Sequence, residues 1–454
     1  MAEAGREAAA ALDALTHHQV EPADELGDAT VVDASNPPTV AAMATSTSLR
    51  HNRDFKIVLV GQGVSALGDA ITFTALPLMV VALTGSGLAM GTVGVLQTLP
   101  DLIFGLPAGA FADRHDRRRL IMGADLGRAL LTALIPLAYL LGWSPLAVIV
   151  AVTFPLNALR VVFLAAWTAA IPSLVGRDQV GRANGTAEAI FSLSFIIGPA
   201  IAGLLISAIG PGPTLAIDAA SFLVSATSIY FVRRPMQSER GPSTTHIVTD
   251  IVEGLRYIAG QRTLRVTIAF WTLFSVLTAP LVPAVIYFLT IDRSASSEVV
   301  GLVLSGYGVG YLVGALVAAR LARGRLGLML LGSSVMLAPI LVLFALVEQP
   351  VVQAMATFAA GLTGALGLLS YLTLRATIPP DALLGRVGST ARTLSLGLSP
   401  IGIFAAGICL DAIGGQATIV LLSALIVVAC AGFSLSHDLR AAVARTSASQ
   451  AAPA

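Results

Sequence analysis

Charged side chains inside long apolar stretches are the residues of this sequence most suited to chemistry. An ionised group in a membrane is costly, so such residues tend to have a function. Asp69, Asp101 and Arg160 each lie about 13–15 residues from the start of an apolar stretch, near the middle of a bilayer at roughly 1.5 Å per residue. We predict that Asp69 or Asp101 carries a proton, and that Arg160 pairs with it and keeps it ionised until substrate competes. A buried structural ion pair is the alternative interpretation.

These charges are shared unevenly between the two halves of the chain. Each of the first six apolar stretches contains at least one, whereas among the last six only the eleventh does, with Arg392 and Asp411 towards its ends. We therefore place coupling in the first half. Asp125, Arg128 and Glu188 are expected nearer the cytoplasmic ends of their stretches, and Asp218 and Asp411 near outer ends, where a carboxylate is solvated or caps a helix.

The composition shows which elements must position these residues. Of 454 residues, 56% are hydrophobic and 12% are charged, and the mean hydropathy is +0.83, which excludes a water-soluble globular protein. Roughly 380 residues, at about 20 per helix, accommodate about twelve membrane-spanning helices. We predict an all-α membrane protein whose spans cover residues 56–83, 86–112, 120–142, 145–172, 183–209, 213–232, 266–290, 299–319, 326–347, 351–374, 388–413 and 416–436.

Several classes of function are excluded by what the sequence lacks. The net charge of +1 offers no basic field for nucleic acid. The one lysine, Lys56, follows no glycine-rich phosphate loop, so an ATP site of the Walker type is absent. All six histidines lie outside the spans, which leaves no intramembrane haem or metal site. No combination of Ser, Cys, His and Asp suggests an enzyme, and we predict no cofactor. Cys409 and Cys430 lie in oppositely directed spans and are not expected to form a disulfide.

The basic residues predict how the chain lies in the membrane. Only Arg293 falls in a loop on the side where odd-numbered spans end. By the positive-inside rule, both termini are predicted to be cytoplasmic, in a multi-pass protein of the inner cell membrane. The bases on the other side are Arg114, Arg117, Arg118, Arg119, Arg177, Arg182, Arg233, Arg234, Arg240, Arg320, Arg323, Arg325, Arg375 and Arg386.

The longest polar break divides the spans six and six. We predict a disordered cytoplasmic tail over 1–55, a six-helix bundle over 56–232, a cytoplasmic linker with a surface helix over 233–265, a second six-helix bundle over 266–436, and a cytoplasmic tail over 437–454. The surface helix is interpreted as a tether between the halves, with a regulatory role as the alternative.

Short patterns repeat between the halves. The segment from Gly109 to Arg114 is echoed by the segment from Gly314 to Arg320, and Pro172 is echoed by Pro379. Because each copy contains an even number of spans, the two halves insert with the same orientation. Such a parallel repeat predicts a transporter with its site between the halves.

The strongest motif occupies the loop after the second span. Its spacing, G-x-x-x-D-R-x-x-R-R, resembles the signature loop of the major facilitator superfamily. The resemblance implies two bundles working by alternating access and a cytoplasmic latch that favours the outward-open state. The glycine would allow close helix approach, the aspartate would accept from a helix N-terminus, and the arginines would pair across the halves. Positive-inside charge alone is the alternative, and Asp116 stands where the superfamily usually has glycine. The latch residues are Gly109, Asp113, Arg114, Arg117 and Arg118.

A second motif in the fifth span resembles the antiporter motif of the superfamily's drug exporters, with Ser194 and Ala202 in place of two glycines. Small residues there permit tight helix packing and the proline bends the helix. Ordinary small-residue packing is the alternative. The remaining motif residues are Gly185, Gly198, Pro199 and Gly203.

A third segment, from Tyr371 to Arg386, is similar to the enterobactin exporter and macrolide-efflux branch, a likeness that extends to the Gly68-Asp69 pair. Substrate contacts are expected from aromatic side chains facing a central cavity, although aromatic residues at helical spacing more often face lipid or core. The candidates are Trp271, Phe274, Tyr307 and Tyr311.

Together these features predict a secondary active transporter that exports amphipathic small molecules by proton antiport. Its partners are then substrate, protons and membrane lipid, and the resemblance implies a monomer. Uptake of a nutrient is one alternative, and a non-transporting membrane receptor or scaffold with the same fold is another.

Overall fold

The computed structural model describes residue 49 and residues 51–105, 107–237, 247–321, 325–380 and 383–442. The greater part of each predicted tail, and the bases at positions 240 and 323, lie outside these ranges. Within them the regular structure is helical throughout, without a strand.

The described residues of the first half form seven α-helices. The second predicted span is divided at Gly105, whose N–H bonds the carbonyl of Asp101, and a short 3-10 turn at Arg177–Gln179 precedes the fifth span. The helices are α1 (Arg53–Thr84), α2 (Gly87–Phe104), α3 (Pro107–Arg114), α4 (Arg117–Leu140), α5 (Pro145–Val175), α6 (Val180–Ile209) and α7 (Pro211–Tyr230).

The second half contains nine α-helices over its described ranges. Pro280 interrupts the seventh span, because proline cannot continue the hydrogen-bond ladder, and a π-helical turn at Phe288–Asp292 completes that span. The helices are α8 (Ile247–Gly260), α9 (Arg262–Thr278), α10 (Leu281–Tyr287), α11 (Ser297–Leu321), α12 (Leu326–Leu346), α13 (Pro350–Thr377), α14 (Leu384–Gly397), α15 (Ser399–Ser434) and α16 (His437–Arg440).

Twelve membrane-crossing segments result from these helices. In the described residues, ten helical stretches are long and apolar enough to cross a membrane. One of them, Leu384–Ser434, has 51 residues and turns back at Gly414, whose φ of 81° favours glycine. It therefore supplies two segments, and α7 supplies the remaining one. The predicted all-helical membrane architecture is confirmed.

The helix ends follow from local capping. The side chains of Asn52, Ser86 and Ser144 accept backbone N–H groups at the starts of α1, α2 and α5. Asp116 does the same for α4, with its Oδ1 2.9 Å from the nitrogen of Arg119. Aspartate at this position therefore starts a helix where the superfamily's glycine would provide a turn.

Small residues set the closest helix contacts inside each bundle. Gly306, Gly310 and Gly314 on α11 lie directly against the backbone of α13, one turn apart. In the first bundle, Gly61 and Gly68 of α1 lie against serine side chains of α7. Each pair of helices is thus held closer than larger side chains would permit.

The two bundles meet mainly along two helix pairs, α2 with α15 and α6 with α11, with smaller contacts of α10 with α1 and α2 and of α14 with α2. We call the face that carries the α3–α4 and α5–α6 connections the basic face, and the face with the α1–α2 connection the opposite face. The surface helix α8 packs on α14 of the second bundle, where Arg386 Nη1 lies 2.6 Å from Glu253 Oε2. Gly254 fits against the same turn, beside Thr390.

We expect Gly310→Val to lower the free energy of unfolding by about 1–3 kcal/mol, because an added side chain would overlap the carbonyl of Phe358 and separate α11 from α13. Thermal unfolding in detergent measures the effect. Gly432→Val is the matched control, since a Cβ there meets nothing within 4 Å. Equal losses in both variants would show that the α11–α13 contact is not the constraint.

Candidate functional site

A cavity of about 640 Å³ separates the bundles and extends to the basic face. Helices α2, α3 and α5 line it from the first bundle, and α13 and α14 line it from the second. Asp101 and Arg392 stand on facing walls, and Asp113 and Gly385 line its mouth. The space between the bundles is therefore open on the basic half, while helix contacts close the opposite half.

Two smaller cavities adjoin this space. One of about 480 Å³ lies along α1, α4, α5 and α6 and shares Leu164 and Thr168 with the first. Another of about 250 Å³ reaches between the bundles from α1 and α2 to α10, α14 and α15, and shares Asp101 with the first. The shared residues place all three around one centre.

Asp101 and Arg160 form an ion pair at this centre. Arg160 Nη2 lies 2.5 Å from Asp101 Oδ2, and its Nε donates to Asn157 Oδ1 at 3.2 Å. The side chains are 24% and 37% exposed for Asp101 and Arg160, respectively. The structure thus brings Arg160 to one of its two predicted partners, on a surface that a ligand in the cavity can reach.

Asp69 pairs with a different arginine. Its Oδ1 lies 2.5 Å from Arg128 Nη2, and the same guanidinium lies 3.5 Å from Asp125 and over the ring of Phe222. Asp125 also accepts from Ser225 Oγ at 2.6 Å. Arg128 is 3% exposed, whereas Asp69 is 33% exposed and lines the 480 Å³ cavity. Asp69 therefore presents one edge of a buried network to that cavity.

The expectation that Asp218 is solvated or capping is wrong. Asp218 is 1% exposed and lies between α1 and α7, where its carboxylate accepts from Thr72 Oγ1 at 2.6 Å and from Ser221 at 3.1 Å. Gly68 leaves the room for it. A usable signal was present, because Thr72 follows Gly68 by one helical turn and therefore lies on the same face of α1.

The latch residues contact their own bundle in this structure. Arg117 lies 3.1 Å from Asp113 and donates to the carbonyl of Ala169, while Arg118 donates to the carbonyl of Tyr230. Gly109 faces the open cavity, and a Cβ on it would meet nothing within 4 Å. The expected close approach at this glycine is therefore not made here, because the bundles are apart on the basic face. Arg114 ends α3 at the same face.

The antiporter-like segment of α6 packs against two neighbours. Gly198 lies against Ala70 of α1, and Gly203 lies against the start of α11. Next to Pro199, the N–H of Ala200 donates to Ser305 Oγ across the bundle interface at 3.0 Å. A Cβ on Gly185 would meet nothing within 4 Å, so close contact is confined to the part of the motif near the opposite face.

The predicted substrate aromatics fall in two places. Trp271 stacks on Tyr371 at 4.7 Å between ring centroids, and Phe274 is 6% exposed in the core of the second bundle. Tyr307 and Tyr311 stack on each other along α11. None of the four predicted residues lines the three cavities described above.

The aromatic residues that do line these cavities come from the first bundle. Phe163 and Trp167 follow Arg160 by one and two helical turns on α5 and share its face of the helix. Helical spacing from Arg160 is thus the signal in the sequence that points to these two side chains. Phe191 on α6 completes the wall of the 480 Å³ cavity, and Phe73 lines the 250 Å³ cavity.

Comparison with known proteins agrees with this architecture. The profile of the MFS_3 family, described as transmembrane secretion effector, matches residues 44–453. The chain belongs to this family of the major facilitator superfamily. It is 31% identical to the multidrug efflux pump Tap of Mycolicibacterium fortuitum over 382 residues, covering 81% of this chain and 91% of that one. It is 24% identical to macrolide efflux protein A of Streptococcus pyogenes, covering 62% and 70% of the two chains.

Solved structures of transporters share the fold. A mutant of the nucleoside transporter NupG superposes with a TM-score of 0.72 at 14% identity, covering 84% of this chain and 99% of that chain. A bacterial homologue of the human lysosomal transporter Spinster, in an inward-facing and unoccupied conformation, gives a TM-score of 0.69 at 14% identity and covers 86% and 97%. These structures show the shared fold; together with the family match and the relationship to the Tap efflux pump, the chain is a superfamily transporter rather than an enzyme.

The two ion pairs of this superfamily member are expected to differ in their effect on stability. Arg128→Leu leaves the buried carboxylate of Asp125 and the partly exposed one of Asp69 unpaired, and should cost about 3–5 kcal/mol of unfolding free energy. Arg160→Leu removes a pair that faces the cavity and should cost below about 1 kcal/mol. Denaturant unfolding in mixed micelles measures both. Equal losses would contradict the distinction between a structural pair and an accessible one.

Proposed function

We propose that this transporter exports amphipathic small molecules by exchanging them for protons. The observation that carries the proposal is the Asp101–Arg160 pair, which lies where the three cavities join and can be reached from the space between the bundles. The efflux pumps among the chain's relatives support the direction of transport.

The walls of the cavities suit a molecule with apolar and polar parts. Phe163, Trp167 and Phe191 offer apolar and aromatic surface in the 480 Å³ cavity, and Asp69 and Glu188 line the same space. A ligand that fills it can bury a hydrophobic body while a polar group lies towards the carboxylates. Size and amphipathic character would therefore select substrates more strongly than one fixed hydrogen-bond pattern.

Asp101 is the proton carrier in this proposal. While Asp101 is ionised, it holds Arg160; a proton on Asp101 removes that attraction and frees the guanidinium. Substrate and proton then compete for the same ion pair, so binding of one favours release of the other. Exchange requires this coupling. A proton that crosses 100 mV supplies about 2.3 kcal/mol. Asp69 is the second candidate carrier, but Arg128 holds it as part of a buried network.

Alternating access would move the bundles about this centre. We assign the basic face to the cytoplasm by the positive-inside rule, so the described state is open to the inside. In the outward-open state the bundles would close on the basic face, and Gly109, Asp113 and Arg117, which stand at the mouth of the large cavity or beside it, would engage the second bundle as a latch. A monomer suffices for this cycle, because both halves of the site belong to one chain.

We expect substrate-induced proton release from inverted membrane vesicles with a compound from a panel of dyes, macrolides and siderophores. Asp101→Asn should reduce release to the level of vesicles without the transporter, because the carrier is lost. Asp69→Asn should reduce it only in part.

Glu348→Gln is the matched control for these substitutions. It removes a carboxylate that pairs with Arg293 at 2.6 Å, but this glutamate is 79% exposed and lies away from the cavities. Full proton-driven export in both aspartate variants would refute the coupling proposal. Substrate binding by purified protein without any transport would favour a receptor with the same fold.

A further inference from the structure

On the opposite face, a carboxylate of the second bundle binds the first turn of a helix in the first bundle. Asp411 of α15 accepts the hydroxyl of Ser86 at 2.8 Å and the backbone N–H groups of Gly87 and Leu88 at 2.5 and 3.0 Å. Ser86 is itself the N-cap of α2 and accepts from Ala89. Asp411 thus caps a helix, as a terminal carboxylate was expected to do, but the helix belongs to the other bundle.

The start of a helix is a favourable place for the carboxylate of Asp411. The first N–H groups of a helix have no partner within the helix, and the helix dipole places partial positive charge there. An ionised carboxylate that accepts three hydrogen bonds at such a terminus forms charge-assisted bonds, which are stronger than neutral ones. Asp411 belongs to the second bundle, and the three groups that donate to it belong to the first. The interaction therefore exists only while the bundles touch on this face.

Small residues next to the clamp make the contact possible. Gly91 and Gly407 cross so closely that a Cβ on Gly407 would lie 3.1 Å from the Cα of Gly91. Gly87 lies against Leu410 and the carbonyl of Gly407. Backbone thus meets backbone beside Asp411, and the carboxylate reaches the N–H groups of α2 directly.

We propose that Asp411 is a gate residue, whose carboxylate holds the opposite face closed by clamping α2 to α15. The proposal rests on alternating access in the proposed function, but substrate and coupling ion do not enter it. The latch on the basic face would act in the opposite sense, so the two devices would favour opposite states. Neutralising Asp411 should then favour opening on its own face.

The test measures distances across the opposite face by electron–electron double resonance in lipid nanodiscs. Spin labels are placed on cysteines at the exposed positions Leu140 of the first bundle and Val351 of the second, in a chain whose Cys409 and Cys430 are replaced by serine. Asp411→Asn should raise the ratio of long to short distances about tenfold, because it removes the charge from the helix terminus. Ser86→Ala leaves the charge and should produce a smaller shift in the same direction.

Asp292→Asn is the matched control. Asp292 also accepts from a helix N–H on this face, that of Gln416 at 2.8 Å, but both residues belong to the second bundle. Its variant should retain the distances of the parent chain. An unchanged distribution in Asp411→Asn, or equal shifts in the Asp411 and Asp292 variants, would overturn the proposal. Because the measurement needs no substrate or proton gradient, failure of the export assay leaves this result independent.

Discussion

Direct contact of glycine with the backbone of a neighbouring helix is the constraint on which this structure depends. In lipid, apolar side chains gain little by leaving their solvent, so helices associate through close packing and hydrogen bonds. Within the bundles, Gly310 of α11 meets α13, and between them Gly91 meets Gly407. The same device thus serves contacts inside a bundle and contacts that would separate in the proposed cycle of alternating access. What distinguishes them is the polar clamp added to the second kind.

Burial of charge organises the first bundle. Arg128 is enclosed by carboxylates and aromatic rings and is 3% exposed, although its Nε has no hydrogen-bond partner among the described residues. Arg160 has one carboxylate, one amide and an open cavity. The two arginines thus differ in how completely they are removed from water. In the proposed function, the more exposed arginine is the one that a ligand can reach.

Hydropathy was sufficient for the number and order of the membrane segments, because each span is a local property of some twenty residues. The breaks at Gly105 and Pro280 were not predicted, because the hydropathy of an apolar stretch is the same whether its helix is continuous or interrupted. The partner of Asp69 was missed for a related reason. Counting residues along a span gives the depth of a Cα atom in the membrane. The guanidinium of Arg128 lies at a different depth, because the long side chain extends away from its Cα. Asp218 of α7 is buried by α1, and the sequence of α7 alone does not show which helix packs against it.

The aromatic residues show a different limit. Regular spacing shows that side chains share one face of a helix, but not what covers that face. Trp271 is covered by Tyr371 of its own bundle, whereas Trp167 lines the 480 Å³ cavity of the first bundle. The position of Arg160 gives the missing information, because the aromatic residues of α5 that line the cavity lie on the same helix face as this arginine.

The docking of α8 assigns this helix to the second bundle. Glu253 and Gly254 attach it to α14, and in the proposed cycle α8 would keep these contacts while the first bundle changes its position. A chain severed between α7 and α8 would leave two polypeptides, each with six complete crossings and the second with its own surface helix. The boundary between the two structural halves therefore lies before α8 and not in the middle of the polar segment.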